Sequence, residues 1–143
     1  MTAALLGKFL ADTDVLIQFE RQDSAALQFL SGKKVCVSAL TVMEFNRGDH
    51  VQRGASKSFE QLFSGFSVLT FDLPCASIAA KLKYDLESEK TPKGKPLRSA
   101  SEILVIQLDI LIAATAKAHA CTVLTYNTRH FKDLKVKTFA LPR

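Results

Sequence analysis

Short apolar runs alternate along this chain with longer segments in which apolar residues recur at helical spacing. The short runs predict strands at 8–11, 34–39, 67–71, 121–125 and 136–140. The longer segments predict helices at 14–19, 23–31, 41–48, 56–66, 74–89 and 108–120. The start of the last helix is left open between Ala100 and Gln107. Strands alternating with helices favour a mainly parallel sheet of four to five strands, covered on both faces. The predicted class is α/β, a three-layer α/β/α sandwich.

Composition indicates one domain spanning residues 1–143. Hydrophobic residues make up 48% of the chain and charged residues 23%, which excludes a disordered or fibrous protein. No apolar run is long enough to span a membrane, and the N-terminal stretch lacks the basic leader of a secretory signal. Three widely spaced cysteines in apolar surroundings are predicted to be buried, reduced thiols. We therefore expect a cytoplasmic protein with no membrane association.

The net charge is +5, and the distribution of the basic residues along the chain is more informative than the size of this charge. Basic residues concentrate in two stretches, 81–98 and 129–137. Such clusters suit a nucleic-acid backbone or another polyanion. A solvated surface that keeps the protein soluble is the simpler interpretation, and charge alone favours it over a polyanion-binding surface.

Acidic and amide side chains interrupt the apolar pattern near several predicted strand ends. Asp12 and Asp14 follow the first strand, Glu44 lies soon after the second, Asp109 precedes the fourth within an apolar helix, and Asn127 follows the fourth. Ligands of open α/β sheets bind outside the carboxyl ends of the strands, so we expect these groups at one edge. Clustered carboxylates repel unless a cation lies among them. Mg²⁺ is the expected ion, and phosphodiester hydrolysis is the chemistry that it suits.

Each acid also has a simpler structural interpretation. Asp12 could cap the helix that follows, Asp14 could be a first-turn charge or could steady the loop, and Glu44 could face water. Asp109 could cap a helix, although apolar residues surround it on every helical face. Two histidines, at 50 and 119, show no ligand spacing and are interpreted as surface residues.

Three stretches, "FLADTDVLI", "VSALTVMEF" and "LDILIAATAKAHACTVLTYNTRHF", together resemble the PIN-domain family, and specifically the VapC toxins of toxin–antitoxin pairs. The stretches occur in the family's order, and the resemblance spans nearly the whole chain. It implies a compact α/β/α fold. It also implies an endoribonuclease that depends on Mg²⁺, with Mn²⁺ as an alternative.

The resemblance also assigns roles to residues. Asp12, Glu44 and Asp109 match the three acidic positions of the family, and Asp12 and Asp109 are the expected direct metal ligands. Glu44 completes the acidic cluster. Asn127 stands where many relatives have a fourth acid, so a second metal site is in doubt. This leaves Asn127 to hold a water or a phosphate oxygen.

The hydroxyls of Thr13 and Thr125 are expected to support the acidic side chains, and His130 lies near the position of the family's fourth acid. The resemblance further implies several partners. These are an RNA substrate, with transfer RNA and ribosomal RNA as candidates, a VapB-like antitoxin, and a second copy of the chain. Helices within 41–66 are candidates for a homodimer interface. Lys93, Lys95 and Arg98 are candidates for a basic rim that holds RNA.

Two alternatives remain at this stage. A haloacid-dehalogenase-like phosphatase also opens with Asp-x-Asp after its first strand, and would need Ser38 and Lys81 in further roles. No acidic pair follows the fourth strand, which that class requires. The other alternative is a PIN-like RNA- or protein-binding module with an impaired site, which Asn127 alone favours.

Overall fold

The computed structural model describes residues 7–48 and 58–142, and its strands form one sheet. The strands are β1 (Lys8–Ala11), β2 (Val35–Ser38), β3 (Ser67–Leu69), β4 (Cys121–Thr125) and β5 (Thr138–Ala140). They lie in the order β3-β2-β1-β4-β5, and every pairing is parallel. The predicted sheet is confirmed. Because Ala11 pairs with Leu124, the residues that follow β1 and β4 are neighbours at the carboxyl edge.

Helices connect the strands and cover both faces of the sheet. They are α1 (Thr13–Glu20), α2 (Ser24–Leu30), α3 (Ala39–Gly48), α4 (Phe59–Leu62), α5 (Leu73–Ser88), α6 (Ala100–Val105), α7 (Gln107–Ala118) and a 3-10 helix (Thr128–Leu134). Side chains of Asp23 and Asp72 cap α2 and α5, and Pro74 lies in the first turn of α5, as predicted.

Alternate residues of the strands point into two hydrophobic clusters, one on each face. Leu10 and Val123 pack with α5, α6, α7 and the 3-10 helix. Phe9 and Leu124 pack on the other face with α1, α2, α3 and α4, in a cluster that includes several phenylalanines. The three-layer α/β/α arrangement is therefore confirmed. All three cysteines are buried free thiols, also as predicted.

The structure differs from the predicted elements in three places. Helix α4 ends at Leu62, because Phe63 leaves the helical conformation before the Ser64–Gly65 pair, whereas 56–66 was predicted as helix. A capping box of Ser99 and Glu102 starts a separate helix, α6, before α7. The 3-10 helix had no predicted counterpart. None of the helices within 7–48 and 58–142 is long and apolar enough to cross a membrane.

Candidate metal and active site

Asp12 joins the end of β1 to the start of α1. Its backbone N–H donates to the carbonyl of Leu124 at 2.9 Å, which continues the pairing of β1 with β4. Its Oδ1 accepts from the N–H of Thr13 at 2.9 Å, so the residue does cap α1. Its Oδ2 accepts from the hydroxyl of Thr125 at 3.2 Å. The cap and the position at the carboxyl edge of the sheet thus occur together.

The end of β4 supplies the groups that hold the loop after β1. The Thr125 hydroxyl lies 3.3 Å from Oδ2 of Asp14 as well as near Asp12, and its single proton serves one carboxylate at a time. The same Asp14 oxygen accepts from the N–H of Tyr126 at 3.2 Å. Asp14 therefore ties the first turn of α1 to the end of β4.

Glu44 reaches the site from the other side of β1. Helix α3 begins directly after β2, and Glu44 lies on its second turn, half-buried. The Thr13 hydroxyl donates to Oε1 of Glu44. Glu44 is therefore turned towards the residues at the end of β1, and the interpretation of a helix residue facing water is wrong.

Asp109 lies in the first turn of α7 without capping it. The N-terminal cap position belongs to Ile106, so the capping interpretation of Asp109 is wrong. The side chain of Asp109 is 22% exposed, and its Oδ2 lies 4.0 Å from Nδ1 of His130. Helix α7 packs on the sheet beside α3 and β4 and so presents Asp109 towards Glu44.

Asn127 begins the 3-10 helix. Its Oδ1 accepts from the N–H of Arg129 at 3.3 Å, and its Nδ2 lies 3.1 Å from Nε2 of His130. Its backbone N–H donates to the Thr125 hydroxyl at 3.1 Å. His130 is therefore a member of the site that the residue pattern alone did not predict. A side chain brought beside Asp109 by a 3-10 turn leaves no periodic signal in the sequence.

The electrostatics of the site follow from crowding of carboxylates. Burial, assisted by the charges of Asp14 and Asp109, raises the pKa of Asp12 to about 7 against hydrogen bonds from Thr13 and Thr125. Burial also raises the pKa of Asp109; the neighbouring His130 opposes this, and the charges of Glu44 and Asp14 add to it. These carboxylates are therefore close enough to resist ionising together.

This donor set fits a hard divalent cation. Carboxylate oxygens are the ligands that Mg²⁺ prefers, and a cation would relieve the repulsion that raises the pKa of Asp12. Within the described ranges, Asp12, Glu44 and Asp109 do not bring three ligand atoms within 4.8 Å of one another. The arrangement therefore suits an ion held by one or two carboxylates with water completing its shell, which is the usual manner of Mg²⁺.

Arg98 and His119 both differ in the structure from their predicted roles. Arg98 pairs with Glu89 at 3.0 Å and with Asp133 at 3.1 Å, and its side chain is only 15% exposed. It therefore joins the segment after α5 to the 3-10 helix and is not available as a basic rim residue.

His119 is half-buried with a fully buried Nε2, so its interpretation as a surface residue is wrong. Residue 50, the other such histidine, lies outside the described residues.

Solved structures of toxin–antitoxin proteins are similar to this chain. The crystal structure of FitAcB from Neisseria gonorrhoeae is 27% identical with a TM-score of 0.65, over 92% of this chain and 96% of that one. DNA-bound VapBC from Salmonella typhimurium is 21% identical with a TM-score of 0.73, over 93% and 97%. VapBC2 from Rickettsia felis, bound to a promoter DNA fragment, is 19% identical with a TM-score of 0.70, over 95% and 100%.

No curated protein sequence matches the chain. The family model of the PIN domain matches residues 9–137, which span β1 to the residue before β5. This match covers each of the three stretches that carried the resemblance, and with the parallel five-stranded sheet it shows that the chain belongs to the PIN domain family.

Proposed function

We propose that the protein is a metal-dependent endoribonuclease that hydrolyses RNA phosphodiester bonds. The observation that carries the proposal is the convergence of Asp12, Glu44 and Asp109 from three separate elements on the carboxyl edge of the sheet. A fold gains nothing in stability from carboxylates that raise one another's pKa, so their convergence points to a cation and a reaction.

In this proposal Asp12 and Asp109 bind Mg²⁺, or Mn²⁺ in its place. The bound ion supplies Lewis acidity, which lowers the pKa of a water molecule and neutralises charge on the phosphate. Glu44 completes the negative wall of the site, and the Thr13 hydroxyl fixes its direction. The Thr125 hydroxyl holds the Asp12 carboxylate, so that its position is set before any ligand arrives.

Asn127 is proposed to assist with its amide nitrogen. Its Oδ1 is engaged with the backbone of the 3-10 helix, whereas Nδ2 carries two N–H groups, of which His130 Nε2 engages one at most. The remaining N–H suits a phosphate oxygen. An amide adds no negative charge, which favours one tightly bound ion over two.

The substrate is proposed to be a structured RNA, with transfer RNA and ribosomal RNA as the candidates. Lys93 and Lys95 are exposed in the loop between α5 and α6 and are free to hold a phosphate backbone. RNA as substrate, together with three buried free thiols, supports a cytoplasmic location.

We also propose that the activity is that of a toxin, held in check by a VapB-like antitoxin. The support is the likeness to FitAcB and to VapBC complexes. A homodimer through the 41–66 region is proposed with it. Met43, which is 54% exposed beside Glu44, offers apolar surface for such an interface. Residues 49–57 of that region lie outside the described residues.

Of the alternatives, the impaired binding module rests on Asn127 alone, and no other contact in the described part of the chain favours it.

The haloacid-dehalogenase-like alternative needs Ser38 and Lys81 in its active site, and the structure engages both residues in other contacts. Lys81 is exposed and ion-paired with Asp85, and Ser38 is buried with its Oγ accepting from the N–H of Leu40. Family membership also argues against that class.

The test is cleavage of total RNA by purified, antitoxin-free protein with Mg²⁺, with Mn²⁺ and with a chelator. We expect discrete fragments that require a metal and disappear in Asp109→Asn. Asp133→Asn is the matched control, because this aspartate is 53% exposed and pairs with Arg98 outside the site. Intact RNA under every condition, from protein shown to be folded, would contradict the proposal and favour the binding module.

A further inference from the structure

A second group of metal-ligand side chains lies away from the acidic site. Asp72 precedes α5, Cys75 lies in the first turn of α5, and His119 follows α7 directly. One potential ligand atom of each lies within 4.8 Å of the others, and among the described residues no other trio of His, Cys, Asp and Glu does so. The three residues are distant in sequence, so the packing of α5 against α7 creates the cluster.

This cluster is separate from the candidate active site. Asp109 lies in the first turn of α7 and His119 just beyond its last turn, ten residues later. At 1.5 Å of helix rise per residue, the two are about 15 Å apart along the helix axis. No single ion could therefore be shared by the two sites.

The environment of each side chain suits a bound ion. Cys75 is 0% exposed, and its thiol makes a long contact of 3.8 Å to the carbonyl of Thr70 and also interacts with the side chains of Asp72 and Thr115. The Nε2 atom of His119 is buried without a hydrogen-bond partner among the described residues. A buried ring nitrogen without a partner is costly, so it calls for an explanation such as a ligand. Asp72 is exposed, and its Oδ1 accepts from the N–H of Cys75 at 3.3 Å, so its other carboxylate oxygen is not used in that contact.

We propose that Asp72, Cys75 and His119 bind one Zn²⁺ ion. Thiolate sulfur, imidazole nitrogen and carboxylate oxygen are the three donor types of zinc sites, whereas Mg²⁺ prefers oxygen alone. In tetrahedral zinc sites the ligand atoms lie about 3.3–3.8 Å apart, so the cluster needs to contract by about 1.5 Å at most. Rotation of the exposed Asp72 side chain supplies much of that movement. Water completes the fourth position.

The ion would tie the start of α5 to the end of α7. These helices form much of the core on one face of the sheet, with Ala79, Leu82 and Leu86 of α5 packed against α7. An ion that binds only the folded chain raises its stability. The expected role is therefore structural, and it is independent of the proposed nuclease.

Cobalt absorption tests the proposal, because Co²⁺ reports on thiolate ligation. Titrating the reduced, full-length protein with Co²⁺ should give a thiolate-to-cobalt charge-transfer band that saturates near one equivalent and is abolished by Zn²⁺. Carboxylates at Asp12 and Asp109 cannot produce that band. The band should therefore persist in Asp109→Asn.

Three variants complete the test. Cys75→Ser should abolish the band, and Cys36→Ser, an equally buried cysteine on β2, should leave it unchanged. His119→Gln keeps the thiolate and should weaken binding by at least about tenfold, since even the loss of outer partners costs this much at metal sites. At the same Zn²⁺ concentration, the melting temperature of the parent should rise by more than that of His119→Gln. A parent without the band, or a band indifferent to His119→Gln, would overturn the proposal.

Discussion

At the scale of single residues, Asp12 serves the fold and the candidate site with different atoms. Its Oδ1 caps α1, and its Oδ2 faces Thr125 in the acidic cluster. Burial and two neighbouring carboxylates raise its pKa to about 7, from an ordinary value of 3.8. The folded protein therefore holds a proton on Asp12 that the unfolded chain releases near pH 4, and stability depends on pH through this residue.

We predict that the metal-free protein loses stability as the pH rises from about 5 to 8. The native state binds the extra proton, so Asp12 favours folding at low pH and this contribution disappears as the pH passes about 7. The expected loss in the free energy of unfolding is on the order of 2–3 kcal/mol. Urea unfolding in chelator measures it. Asp12→Asn should reduce this dependence and leave the part that the raised pKa of Asp109 contributes, and an undiminished dependence in that variant would show that other groups cause it.

Thr13 provides a second prediction at this scale. Its hydroxyl is the contact that turns Glu44 into the site. In Thr13→Val the metal-dependent cleavage rate should fall by about tenfold, in line with other residues that orient groups around a metal. Thr13→Ser keeps the hydroxyl and should stay near the parent. Equal rates in the valine and serine variants would remove Thr13 from the site.

Some of these residue positions could be predicted from the sequence and others could not, for physical reasons. The proximity of Asp12, Glu44 and Asp109 could be predicted, because each breaks an apolar pattern close to a strand or within a buried helix; their roles in a site stay a prediction. His130 and the Asp72–Cys75–His119 cluster could not be predicted. Their proximity depends on how a 3-10 turn and two packed helices orient side chains, and no local spacing encodes that. Arg98 was misassigned because its sequence position shows a charge but not the acids that pair with it.

At the scale of elements, α7 carries both Asp109 and the small residues that let it lie close to the sheet. Ala113, Ala114 and Ala116 are fully buried. Close packing of this kind leaves no room for larger side chains. The position of Asp109 relative to Asp12 therefore depends on the alanine face of α7.

Ala113→Leu should lower the free energy of unfolding by about 1–3 kcal/mol, because added methylenes overpack a filled core. It should also lower cleavage, since α7 must shift and Asp109 with it. Ala80→Leu on the exposed side of α5 is the control and should change neither quantity appreciably. Thermal and urea unfolding measure the first effect. An unaltered stability in Ala113→Leu would show that α7 lies less tightly on the sheet than described.

The elements themselves were largely predictable, since strand and helix periods differ and the parallel sheet buries whole strands. The predicted boundaries of helices were wrong where a short local signal, such as a cap, outweighed the periodic spacing of apolar residues. The Ser99–Glu102 capping box, which starts α6, is a local sequence signal that hydrophobic spacing does not contain. The 3-10 helix begins at the Asn127 cap and ends at Lys135 with φ 53°, and neither feature follows from hydrophobic spacing.

At the scale of the whole molecule, both hydrophobic clusters share the same strands. Phe9 and Leu10 are consecutive residues of β1 and belong to opposite clusters. Neither cluster can lose its strands without exposing the other. We therefore propose that residues 1–143 act as one cooperative domain. Urea transitions followed by far- and near-ultraviolet circular dichroism should coincide. Two separate transitions would contradict this.

Cleavage rates on a single RNA that the parent cleaves test whether the three carboxylates from three elements form one metal-dependent site. Under saturating Mg²⁺, Asp12→Asn, Glu44→Gln and Asp109→Asn should each slow cleavage by about a hundredfold or more, as expected when charge stabilisation at a reacting centre is lost. Asp133→Asn should match the parent, and chelator should stop all cutting. A parent-like rate in any of the three site variants, or cleavage that persists in chelator, would contradict the proposed site.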